Sequence, residues 1–161
     1  MVSMASEERI IIRPIAKPSE DSVDELTFWF CRAFDLATKG EALEPALFKE
    51  IVSAMGTGVT SKELNDRLSV PRTTVIYHLN RFIGSGLVVR KGRKYFLRSE
   101  DMESTIEELQ ADMVREFSRM LEFAERFDAV LAGDALERRG NAEGKRIEGK
   151  RRVEAGNRRK R

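Results

Sequence analysis

At 161 residues the chain has room for one compact domain with extensions, but not for two large cores. Its formal net charge of +2 conceals a segregation. Residues 60–98 carry +7, residues 137–161 carry another +7, and the rest carries −12, so positive charge is concentrated where a polyanion would sit. A single Cys excludes a disulfide framework within the chain and suits a reducing compartment, no apolar run reaches membrane-spanning length, and the N-terminus lacks a signal-peptide pattern; the expectation is a cytoplasmic protein.

In chain order, residues 1–21 read as a flexible arm. Ile10, Ile11 and Ile12 suggest a short edge strand over Arg9 to Arg13, stopped by Pro14 and Pro18. Ser22 with Glu25 forms a capping box, and a helix is predicted from there to about Lys39, with Gly40 ending it. Val23, Leu26, Phe30, Ala33, Phe34 and Ala37 share one apolar face, and Phe28 and Trp29 add more apolar area than one packing surface needs. That excess reads either as deep packing or as a second face for another subunit or a ligand, of which a subunit is preferred because exposed aromatic patches mark interfaces. Cys31 reads as a small apolar residue. Pro45 opens a second helix, with Leu47, Phe48, Ile51, Val52 and Met55 facing inward before Gly56 and Gly58. Val59 and Thr60 suit a short strand at the edge of a small sheet.

The next stretch carries the chemistry. Thr60 and Glu63 form another capping box, starting a short helix that turns Leu64 and Leu68 inward. Ser69-Val70-Pro71 breaks it, and Pro71 suits the first turn of the following helix. There Val75, Leu79 and Phe82, spaced four and three apart, form a buried stripe that ends near Gly84 and Gly86. Opposite lie Arg72, Thr73, Thr74, Tyr77 and Arg81, groups able to hydrogen-bond bases or phosphates. Residues 87–90 and 94–98 then flank Lys91-Gly92-Arg93, a hairpin with glycine in its turn. Arg90, Lys91, Arg93 and Lys94 crowd its tip, a charge density that a polyanion would neutralise.

The run RTTVIYHLNRFIGSGLVVRKGRKYFLR resembles the recognition helix and wing of ArsR-like winged helix-turn-helix regulators, archaeal type, over about Leu43 to Arg98. The His-Leu pair followed by Gly-Leu-Val is the most specific part. The resemblance implies a homodimeric, sequence-specific DNA-binding repressor or activator. It also implies that Arg72, Thr73, Thr74 and Tyr77 face bases while the wing grips the backbone. Ile76 stands where the family often has a small polar residue, suggesting apolar readout, such as a thymine methyl. Arg81, Arg90, Lys91, Arg93 and Lys94 are then expected on phosphates or the adjacent minor groove. Thr60 and Ser61, at a helix N-terminus, are expected to donate to a phosphate.

After the hairpin, Ser99 to about Leu131 reads as a long charged helix. Ile106, Leu109, Met113, Phe117, Met120, Ala124, Phe127 and Leu131 step by three or four, close to a heptad stripe that needs a partner: the first helix of its own chain, a symmetry mate, or both. Dimerisation is expected through Leu26, Phe28, Trp29 and Phe30 of the first helix and Ile106, Leu109, Met113, Phe117, Met120 and Phe127 of this one. Gly133 is expected to end the ordered part, leaving 133–161 as a disordered basic tail that adds salt-sensitive affinity for nucleic acid.

Catalysis finds little support: the sequence has no phosphate-cradling glycine motif and no Ser/His/Asp or Cys/His arrangement. His78, the sole histidine, reads as a wedged side chain or a phosphate contact. With Cys31 it cannot make a four-coordinate metal site, so neither metal nor cofactor is expected. The expected architecture is mainly α with a small β-hairpin wing: an arm (1–21), a winged helix-turn-helix domain with flanking dimerisation helices (22–132), and the tail. The expected function is transcriptional regulation on double-stranded DNA, with an effector left unidentified. The rivals are a general nucleic-acid binder, architectural or RNA-associated, driven by the tail, and a winged-helix adaptor for other proteins.

Overall fold

A computed structural model of the chain describes residues 11–37, 40 and 42–158. The protein is mainly helical, with one small antiparallel sheet. Among the described residues, five helices, α1 (Val23–Ala33), α2 (Leu43–Ser53), α3 (Ser61–Leu68), α4 (Arg72–Gly84) and α5 (Met102–Arg158), are joined by three strands, β1 (Val59–Thr60), β2 (Val88–Lys91) and β3 (Lys94–Leu97). The chain divides between Ala111 and Asp112 into two units.

In the first unit α1 to α4 and the sheet enclose one core. Phe48, Phe82, Leu47, Ile51, Leu64, Leu79, Val59, Val75, Leu87 and Val88 are essentially inaccessible there. Phe48 and Phe82 stack with ring centres 5.3 Å apart, joining α2 to α4. Ser22 caps α1 as its spacing predicts, the Glu25 amide donating to Ser22 Oγ at 3.2 Å. The helix ends at Ala33, short of the expected Lys39, because Asp35 takes a left-handed φ of 56° and redirects the chain. Lys39 itself lies outside the described residues. The expected strand over Arg9 to Arg13 is not formed at residues 11–13, while Arg9 and Ile10 fall outside the described part. Residues 11–21 instead strap α1: the Arg13 amide donates to the Ala33 carbonyl at 2.7 Å, and Trp29 Nε1 to that of Ala16 at 2.8 Å.

The Thr60–Glu63 capping box forms in full. Glu63 N donates to Thr60 Oγ1 at 3.2 Å, and the Glu63 carboxylate accepts from Thr60 N at 2.7 Å. The Thr60 backbone bond, with its hydroxyl, holds the Glu63 carboxyl below its ordinary value of 4.5. A depressed carboxylate adds stability above the unfolded-state pKa and loses it as pH falls through the lower folded value. Glu63→Gln is therefore expected to lower the melting temperature at neutral pH and to lower it progressively less below 4.5. Thermal melts across this range check it; a gap independent of pH would contradict the capping account.

Between α3 and α4 the chain turns in three residues, with Ser69 left-handed (φ 52°) and Asn65 Nδ2 donating to the Val70 carbonyl. The sheet order is β1-β3-β2. Val59 pairs with Tyr95, and Lys91 with Lys94 across a two-residue loop whose Gly92 has φ 64°. Gly58 (φ 71°) lies under the Phe96 ring, where an added Cβ would come within 2.6 Å of ring carbons. β1 is thus held at the sheet edge by a close backbone approach that only glycine permits.

α5 differs most from expectation. It opens at Met102, with the Asp101 carboxylate accepting from Ser104 N at 2.7 Å. Thr105 and Leu109 are buried, while Met102 and Ile106 pack on the core. The helix then continues through Gly133 to Arg158, rather than ending near Leu131 and giving way to a disordered tail. The physical reason is local. Residues 102–158 contain no proline, and their Ala, Glu, Lys and Arg favour helix, while each interior glycine costs only about 1 kcal/mol. Every residue from 114 to 158 is exposed. Among the described residues no helix is long and apolar enough to cross a membrane.

Candidate nucleic-acid interface

α4 buries Val75, Leu79 and Phe82 completely, which turns a polar row outward. Arg72, Thr73 and Tyr77 are exposed, Tyr77 to 62%, while Thr74 and Ile76 are half-buried beside them. Asn80 is exposed too, and its spacing of seven and three from Thr73 and Tyr77 puts all three on one row. The same spacing stands in the sequence, so periodicity alone places Asn80 on this row. Pro71 is the N-cap and supplies no side-chain hydrogen bond, so the first amides of α4 lack a capping side chain. Such a helix end attracts anions. Arg72 makes no ion pair among the described residues.

The hairpin tip is cationic as expected. Arg90, Lys91, Arg93 and Lys94 are all exposed. Lys91 and Lys94 face each other across the ladder, an arrangement of like charges that costs stability. Aromatic rings and carbonyls orient these side chains. Arg90 lies 5.8 Å from the Tyr95 ring centre and donates to the Gly92 carbonyl at 2.9 Å. Lys91 Nζ sits 5.5 Å from the Phe96 ring centre, and Lys94 Nζ donates to the Thr57 carbonyl at 3.0 Å. No acidic side chain meets any of the four within ion-pair distance among the described residues.

Of three expected phosphate contacts, one is buried and two are bonded within the chain. Ser61 is buried, with 8% of its surface accessible. Thr60 spends its amide and hydroxyl on the Glu63 carboxylate, whose charge would also repel a phosphate. Arg81 turns inward: its Nη1 lies 3.2 Å from Glu44 Oε1, and its Nη2 donates to the Asp35 carbonyl at 3.1 Å. Glu44 is 4% exposed, and a carboxylate that deep needs a cation. Arg81 therefore ties α4 to α2 and to the turn after α1. His78 Nδ1 also lies 3.0 Å from Glu44 Oε1, close enough for an ion pair when protonated but without hydrogen-bond alignment. His78 is thus wedged against Glu44 of α2. Burial, with Glu44 nearby, pushes the Cys31 thiol up to about 12. A thiol so protonated is a poor nucleophile and metal ligand. Among the described residues no three His, Cys, Asp or Glu side chains gather as a metal site requires.

The expected dimer surface separates into two groups. Leu26, Phe28, Trp29 and Phe30 are half-buried within the first unit, where Trp29 and Phe30 pack on the core and edge-to-face on each other. Leu109 is 2% exposed and Ile106 packs on the same core, so both are already covered by their own chain. Met113 is half-buried, whereas Phe117, Met120 and Phe127 lie 54–64% exposed. Val114, Leu121, Phe123, Val130 and Leu131 join these in the exposed apolar face of α5. A strict heptad count overlooks most of that added width.

Compared with family models, curated proteins and solved structures, the chain finds no match.

Proposed function

We infer that this chain is a homodimeric, sequence-specific double-stranded-DNA-binding transcriptional regulator of the winged helix-turn-helix kind, similar to the ArsR-like regulators. One observation carries the reading: an exposed hydrogen-bonding row on α4 (Thr73, Tyr77, Asn80), headed by Arg72 at an uncapped helix start, occurs in the same unit as a hairpin tip of four exposed cations. α4 enters the major groove, with Arg72, Thr73, Tyr77 and Asn80 at base edges and Thr74 and Ile76 beside them. The hairpin is the wing, and Arg90, Lys91, Arg93 and Lys94 neutralise backbone phosphates. Arg81 acts as a strut through Glu44 and makes no DNA contact. Dimerisation uses the exposed face of α5 around Phe117, Met120 and Phe127, and two-fold symmetry then calls for an inverted-repeat site. The setting is cytoplasmic, and the protein has no catalytic role.

Selection from random duplex DNA with the full chain tests this directly. Enrichment of an inverted repeat supports the reading; equal recovery of all sequences rejects it in favour of a general nucleic-acid binder. On the enriched site Arg72→Ala is expected to cost about 1–3 kcal/mol of discrimination while leaving random-duplex affinity nearly unchanged. Equal losses on both duplexes would remove Arg72 from base readout.

Replacing Lys91 and Arg93 together by Ala is expected to lower the slope of log affinity against log salt by about 2 per protomer, on any duplex. A salt titration by fluorescence anisotropy reads this. An unchanged slope would remove the wing from the contact set.

A further inference from the structure

Continuation of α5 beyond Gly133 gives the C-terminal charges a geometry that a disordered tail would lack. Arg138, Lys145 and Arg152 recur at intervals of seven, and Arg139 and Arg146 repeat the interval on the adjoining row. At about 100° per residue these five cations fall within an arc of about 140°, along about 21 Å of helix. The acids of the segment, Glu137, Glu143, Glu148 and Glu154, all fall outside that arc. Ala142 and Gly149, in line with Arg138 and Arg152, leave the helix backbone bare between the long side chains.

Pairing separates this segment from the one before it. Upstream, Arg115, Arg119 and Arg126 are each bridged to an acid within one turn, Asp112, Glu116 and Glu122. These five cations, like Lys150, Arg151 and Arg158 off the arc, are exposed and make no ion pair or hydrogen bond among the described residues. We propose that this face of α5 is a second nucleic-acid contact, which lies along duplex phosphates without reading sequence. The proposal rests on the duplex-binding reading above. The occupant follows from charge complementarity. The length of the cationic row matches the rise of about six base pairs, and each cation placed on a phosphate releases condensed counterions. A membrane surface is the poorer match, because between residues 138 and 152 the side away from the arc carries Glu143, Glu148, Lys150 and Arg151 with Ile147 as its one large apolar side chain, not the apolar band an interfacial helix inserts.

Two charge-matched variants of the full chain test it: R138Q/K145Q/R152Q on the face and K150Q/R151Q/R158Q off it. Binding to a labelled random-sequence duplex is measured across a salt series, with helicity followed by circular dichroism. The face variant is expected to lower the salt slope by about 2 to 3 per protomer, and the off-face variant by less than about 1. Equal decreases with helicity retained would mean diffuse charge and overturn the proposal, as would no decrease in either. Face-dependent binding to phosphatidylserine vesicles without face-dependent binding to duplex would overturn it in favour of a membrane surface. Measuring Arg72→Ala in the same series separates the two readings. Should the face variants fail while Arg72 still governs site discrimination, the regulator reading stands alone. Should the face matter while Arg72 affects both duplexes equally, the phosphate contact stands and base readout falls.

Discussion

On the proposed reading, replacing Phe117 and Phe127 together by Glu is expected to convert a dimer to a monomer and to reduce affinity for the inverted repeat that selection enriches by at least two orders of magnitude. Both side chains are largely exposed in the single chain, 57% and 64%. Burying a phenylalanine against a partner contributes about 1.5–3 kcal/mol, and a symmetric dimer buries four of them, so about 6–12 kcal/mol of association energy is at stake. Glutamates would add like charges at the seam. A monomer engages one half-site at a time and forfeits the effective concentration of the second, an effect of about 10²–10⁴. Sedimentation equilibrium reads the mass and anisotropy the affinity. Because these residues are exposed, the melting temperature of the first unit should hardly move, which separates loss of the dimer from unfolding. A double variant that stays dimeric would place the interface elsewhere.

The second large effect is on stability. Phe82→Ala is expected to destabilise the first unit by about 3–5 kcal/mol. Phe82 is fully buried and stacks nearly parallel on Phe48, so its loss opens a cavity between α2 and α4 that neither helix can close without moving the other. Since marginal domains hold only about 5–15 kcal/mol in total, the variant should unfold at markedly lower denaturant concentration. Urea unfolding followed by tryptophan fluorescence measures the midpoint, Trp29 being the single tryptophan and packed on the same core. A loss below about 1 kcal/mol would mean that the α2–α4 contact is loosely packed. Phe82→Leu, which keeps much of the volume, is expected to recover most of the stability.

Much of the first unit was legible residue by residue. Ser22 with Glu25 and Thr60 with Glu63 act within three residues of each other, so their caps need no tertiary information. The Val75, Leu79, Phe82 stripe and the glycine-turned hairpin follow likewise from short-range periodicity and turn chemistry. The second unit was harder to read. The composition of residues 133–161 suggested disorder because so few apolar residues were available for burial, yet a helix closes its hydrogen bonds within itself and needs no core to define its path.

The caps, the buried stripe of α4, the hairpin and the cationic tip each depend on spacings of two to four residues along the chain, so their positions are written in the order of the residues. Only the tertiary structure decided which polar and apolar groups were left over for a partner. Arg81 carries the same charge as Arg72 and was likewise set outside the apolar stripe of α4, until folding set the buried Glu44 carboxylate 37 positions away against its guanidinium. Leu109 and Phe127 belong to one stripe in the sequence, but the core covers the first and leaves the second exposed. Burial is a property of what packs from elsewhere in the chain, and no local pattern encodes it.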